Sequence, residues 1–150
     1  MSTPTPTTAG RRLPHQWIAL IVGVVYLLVG IAGFFVTGFD GFVEHNHDQT
    51  LLGFAVNPLH NIVHLIIGAA GVVLWSTPSR ARIYGWLLAI GYGATTIYGL
   101  LVVNDPDANI LNINGADNGL HIASTIVGLV IALWPKKTTR STNGPTDGTH

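Results

Sequence analysis

Cysteine is absent from the 150-residue chain, which removes disulfides, thiolate metal sites and cysteine nucleophiles. Charge is scarce too: Asp, Glu, Lys and Arg make up 9% of the residues, against roughly 25% in an ordinary soluble domain. There is no G-x-S-x-G elbow, Walker loop, dinucleotide fingerprint or H-E-x-x-H helix, so the common hydrolase, nucleotide and zincin chemistries find no support. Ser124 lies near His121 but has no oriented third member to make a triad. The basic cluster Lys136, Lys137 and Arg140 is too small for nucleic acid and reads as a headgroup anchor. What is abundant is apolar: hydrophobic residues reach 48%, with 18 glycines, a pairing typical of membrane helices.

Lipid offers the backbone no hydrogen bonds, so a spanning segment is a helix or part of a closed barrel. Four runs approach the roughly 20 apolar residues that a spanning helix needs: 17–36, 58–75, 83–103 and 118–134. None contains Asp, Glu, Lys or Arg, and the alternation of a barrel strand is missing. The expectation is an all-α, four-span membrane bundle over residues 13–135, built as two helical hairpins. Thr/Pro/Gly/Ser-rich tails, 1–12 and 136–150, flank it and read as disordered.

The charges sort by loop. All Lys and Arg fall before the first run, between the second and third, or after the fourth. The 37–56 and 104–117 connections hold Asp40, Glu44, Asp48, Asp105, Asp107 and Asp117 and no Lys or Arg. The positive-inside rule then places both termini in the cytoplasm and both acidic loops outside. Trp17, Trp75, Trp86 and Trp134 fall at the same, inner boundary. The first run is longer than a signal-peptide core and reads as a retained span.

Polar residues interrupt this pattern at two places. The second run opens "NPLHNIVH", with His60, His64, Gly68 and Gly71 along one helix face. The fourth carries Asp117, His121, Thr125 and Gly128 at the same spacing. A local match of "NPLH" with "DNGLH" pairs His60 with His121 instead, but the stripe accounts for more positions. The spacing therefore points to a weak internal repeat. Both polar ends face outward, with His64 roughly 9 Å and His121 roughly 5 Å below their helix starts.

Ionisable groups inside a membrane are costly and turn to the bundle interior. The candidate metal ligands are His60, His64 and His121, with Asp117 as a fourth and Asn57 and Asn61 in support. Neutral imidazole, the form that burial favours, suits Zn, Cu, Fe or Ni. Haem b held by His64 and His121 is a second possibility, with Gly68 and Gly71 making room for the ring. A hydrogen-bonded clasp holding the hairpins together is a third, and would make the protein a structural or assembly subunit. Proton or solute passage is a fourth. Asn57 before Pro58 reads as an N-cap, and Asp117 or Asn118 as the cap of the last helix. His45 and His47, with Glu44 and Asp48, form an outer cluster of low specificity. "NDPDANILNINGADNG" lacks the spacing of a calcium-binding hand. No catalytic residue is indicated, and a binding module is expected more than an enzyme. The expected partners are the lipid bilayer and either a second copy or another membrane protein.

"NPLHNIVHLIIGAAGV", opening the second of four short helices, resembles the small four-helix bacterial membrane proteins catalogued as domain of unknown function 4383. The "NPLHN-x-x-H" core carries the resemblance, and Leu120-His121 at the start of the last run fits it. The similarity covers about residues 12–135 and implies a four-helix integral membrane protein with no established activity. It supplies no catalytic residue.

Overall fold

The computed structural model describes residues 11–135, so the expected tails lie outside it except for Arg11 and Arg12. The described residues fold into four helices: α1 (Pro14–Thr37), α2 (Pro58–Leu74), α3 (Pro78–Val102) and α4 (Gly115–Ala132). A short antiparallel pair, β1 (Thr50–Leu51) and β2 (Phe54–Ala55), sits between α1 and α2. Its turn residues Leu52 and Gly53 both have positive φ, as a two-residue hairpin turn requires. The all-α expectation holds, and the small hairpin is an addition to it.

Three helices, α1, α3 and α4, are long and apolar enough to cross a membrane, while apolar α2 is shorter at 17 residues. Their outward faces are lipid-like in chemistry: Phe35, Ile66, Ile90 and Leu101 are among many large apolar side chains left exposed. An apolar surface of that extent marks an interaction with membrane or protein.

Helix starts differ from the sequence reading for identifiable reasons. Pro78 sits at N1 of α3, and Thr77 Oγ1 accepts the Arg80 N–H at 3.3 Å, so Arg80 and Arg82 ride in the first turns of the helix. The expected cap at Asp117 or Asn118 is corrected to Asn114, whose Oδ1 accepts the Asp117 N–H at 3.0 Å. The cap of α2 is the expected Asn57, accepting the His60 N–H at 2.9 Å.

The architecture is two closely packed hairpins, α1 against α2 and α3 against α4. Glycine allows the approach. A Cβ at Gly71 would lie 2.6 Å from Gly23 Cα, and one at Gly128 would lie 2.5 Å from Ala89 N. Farther out, Gly33 makes room for the amide of Asn61, and Gly99 makes room for that of Asn118. The hairpins are thus copies of one plan, with Asn57 matching Asn114, Asn61 matching Asn118, and His64 matching His121. Tyr26 and Tyr92 occupy matching positions on α1 and α3, and their rings stack across the centre at 5.2 Å. The stripe register read from the sequence is the one the packing uses.

One end of the bundle gathers the N-termini of α1 and α3 with the C-termini of α2 and α4. There Gln16 Nε2 donates to Trp75 O at 3.1 Å, Arg12 donates to Ser76 O, and Arg82 donates to Trp134 O. These donors satisfy the carbonyl of the Trp75 cap and those of Ser76 and Trp134 just past the ends of α2 and α4. Buried His15 stacks on Trp134 with ring centroids 5.9 Å apart. The connections between α1 and α2 and between α3 and α4 form the opposite end.

Candidate metal centre

The three histidines expected to meet do meet. One ring nitrogen from each of His60, His64 and His121 lies within 4.8 Å of the others, and all three residues are buried. The His60 ring centroid is 4.4 Å from that of His64 and 5.9 Å from that of His121. The placement follows from helix periodicity: His60 and His64 are one turn apart on α2, and α4 brings His121 to them from the second hairpin.

Beneath the imidazoles lie the two tyrosine rings. Tyr26 is 5.2 Å from His64, and Tyr92 is 5.0 Å from His121, again one pair per hairpin. Tyr26 Oη shares a 2.6 Å hydrogen bond with Ser124 Oγ. Ser124 lies nearly one turn further into the bundle than His121, so the Tyr26 hydroxyl is engaged across the hairpins by α4. Tyr26 falls between Gly23 and Gly30 on α1 and Tyr92 between Ala89 and Gly99 on α3, and that place beside the close helix contacts was the available signal for a shared floor.

Above the imidazoles, two loops close the end of the bundle. Asn112, fully buried, donates through Nδ2 to Asn46 O at 2.9 Å and Val56 O at 3.0 Å, and its Oδ1 accepts the Asn46 N–H at 2.9 Å. Asn57 Nδ2 donates to Glu44 O and Ile110 O at 3.2 and 2.8 Å. Asn109 braces its own loop through Ile113, with two bonds of 2.8 Å. The sequence reading passed over Asn109 and Asn112, because asparagines in a polar connection look like ordinary turn residues.

The remaining candidates have other partners. Asp117, expected as a fourth ligand, lies outside the convergent set. Its Oδ2 accepts the Asn114 N–H at 2.9 Å and the Ala55 N–H at 3.1 Å, closing a capping box and pinning the β-hairpin to α4. Asn57 is the cap and loop clamp just described. Asn61 Nδ2 donates to Thr37 Oγ1 at 3.0 Å, tying the end of α1 to α2. His45 and His47 pack on each other with centroids 4.3 Å apart and are not part of the buried trio. Asp105 Oδ1 accepts the Asp107 and Ala108 N–H groups at 3.1 Å, a local turn and not a calcium loop.

The imidazoles themselves are short of partners. His60 Nδ1, His121 Nδ1 and both nitrogens of His64 are buried without a hydrogen bond among the described residues. Buried polar groups are nearly always paired, and each exception needs a cause. A clasp made by the histidines would pair these atoms with one another, and they are not so paired; the bonds that tie the two hairpins at this end come from Asn57, Asn112 and Asp117. A porphyrin also lacks the space foreseen for it: a Cβ at Gly68 would come 2.8 Å from Gly23 O, so that face is filled by α1. The atoms converge as ligands to one small ion would.

Residues 16–134 match the family described as a domain of unknown function, number 4383. The chain belongs to that family. No curated protein and no solved structure matches it. For this member of domain of unknown function 4383, the site chemistry is therefore read from its own residues.

Proposed function

We propose that the protein is a four-span membrane protein that holds one transition metal ion at His60, His64 and His121, at the end of the bundle covered by the acidic loops. The observation carrying this reading is the convergence of three buried imidazoles, each with a nitrogen that lacks another partner. Three histidine ligands are a common set for Zn, Cu, Fe and Ni. Because His60 and His64 come from one hairpin and His121 from the other, a bound ion would also lock the hairpins together.

The orientation follows from charge. Arg11, Arg12, Arg80 and Arg82 gather at the end opposite the histidines, and the positive-inside rule puts that end in the cytoplasm. The metal site then faces the outside of a bacterial inner membrane, with lipid as the surrounding partner. α2 spans with its polar first turn shielded by the loops.

Elemental analysis of detergent-purified protein tests the reading directly. Near-stoichiometric metal is expected, retained or regained on reconstitution. Chelator and His121→Ala are expected to lower thermal stability by the same, non-additive amount. Absence of metal under both conditions would overturn the proposal.

A further inference from the structure

The charge around the trio selects among metals. Among the described residues, one side chain of the Asp, Glu, Lys and Arg class is buried, and it is Asp117. It lies one turn outward from His121 on the same face, about 6 Å along the axis, and two backbone N–H groups hold its carboxylate. No second anion is at hand. The Tyr26 hydroxyl is hydrogen-bonded to Ser124, and the Tyr92 hydroxyl, buried without a partner among the described residues, is a neutral phenol because burial disfavours its charged form. The floor of the site is therefore two tyrosine rings that add no formal negative charge.

The cost of placing an ion in a low-dielectric interior rises with the square of its charge. A divalent ion beside three neutral imidazoles and one remote carboxylate keeps a net positive charge. Zinc with three histidines normally completes its shell with water or hydroxide. Here His60, His64 and His121 are only 2%, 3% and 1% exposed beneath the asparagine-clamped loops, which restricts a fourth ligand from solvent. A monovalent ion that accepts three nitrogen ligands meets both constraints. Cuprous copper is that ion, and with no cysteine in the chain its ligands are imidazoles.

We infer that the His60–His64–His121 centre, on the metal reading above, is a site for Cu(I) in preference to divalent metals. The ion sits between neutral imidazoles and the Tyr26–Tyr92 floor, with its single charge balanced by Asp117. The lid and the carboxylate belong to the same selection: Asp117 ties the β-hairpin down and supplies the one negative charge.

The test is an anaerobic competition on the full chain in detergent. Cu(I) is offered as its bicinchoninate complex, and Zn(II), Ni(II) and Fe(II) are titrated separately against chelating dyes. One Cu(I) per chain is expected, with affinity more than about tenfold above each divalent ion and an X-ray absorption edge of three-coordinate Cu(I) with a nitrogen shell. His64→Gln and His121→Gln, checked for retained helicity, should lose that copper. Equal or tighter binding of a divalent ion, Cu(II) titrated separately included, overturns the Cu(I) assignment and leaves the metal site standing. Failure to bind any metal overturns both.

Discussion

Replacing His64 with leucine separates a metal centre from a helix clasp by the sign of its effect. His64 is 3% exposed, and neither ring nitrogen has a hydrogen-bond partner. A buried polar atom without a partner costs roughly 1–3 kcal/mol. Hydrogen bonds between membrane helices average only about 0.6 kcal/mol, so the lower end of that range applies here. Leucine is close to imidazole in volume and removes both nitrogens while keeping contact with Tyr26. Metal-free His64→Leu should therefore be more stable than metal-free wild type by about 1–2 kcal/mol, or several degrees in Tm at about 2–4 °C per kcal/mol. Metal should invert the order. An ion at 100 times its Kd adds about 2.7 kcal/mol to wild type and nothing to the variant. The assay is thermal unfolding in detergent, with chelator and then with metal. If metal-free His64→Leu melts below metal-free wild type, the side chain is holding the fold together by itself, and the reasoning from unpartnered nitrogens is refuted.

Three other outcomes are expected. Asn112→Ala removes three hydrogen bonds between the covering loops, one of them fully buried, and should cost about 2–4 kcal/mol at about 1 kcal/mol each plus the partners left unpaired, read as a lower Tm and faster metal release to chelator; unchanged release would show that the loops do not cover the ion. Gly33→Ala drives a Cβ into the Asn61 amide and should cost about 1–3 kcal/mol, an effect that shrinks in an Asn61→Ala background; equal cost in both backgrounds would place the strain elsewhere. In the cysteine-free chain, Glu44→Cys should label from outside intact cells and Ser79→Cys only after permeabilisation, and the reverse pattern would overturn the orientation.

The helices were legible because lipid-facing sequence is nearly all apolar, and because Asn57-Pro58 marks a helix start by itself. Their ends were less so. Asp117 looked like a cap or a ligand, since a carboxylate in a first helical turn can be either. Only the position of Asn114 three residues earlier, with its Oδ1 on the Asp117 N–H, assigns the cap elsewhere. The His trio was readable because helix periodicity fixes a face, and a repeat of faces fixes which helices meet. The loop clamp was not readable, because Asn112 acts through carbonyls far away in sequence. The aromatic floor fell between: each tyrosine was visible, but their stacking depends on how the two hairpins sit against each other.

The repeat also explains why the site has three histidines and not four or two. His60 and Asp117 are the same position of the two hairpins, the third residue after the capping asparagine, and both donate a backbone N–H to that cap. At this position a carboxylate can bend back to accept the cap's own N–H, and Asp117 does so. Histidine at the same place leaves the Asn57 N–H without that acceptor, and its ring lies against His64 instead. A symmetric pair of histidines would give four imidazoles with no balancing charge. A symmetric pair of aspartates would bury two carboxylates with two imidazoles, a set suited to a divalent ion. The chain has one of each, so the duplicated frame yields two His–Tyr pairs, one extra imidazole and one carboxylate that fastens the lid. Exchanging them singly separates these roles: Asp117→Asn should loosen the lid and weaken the metal, whereas His60→Asn should weaken the metal and leave the Asp117–Ala55 bond and the Asn112 bonds intact.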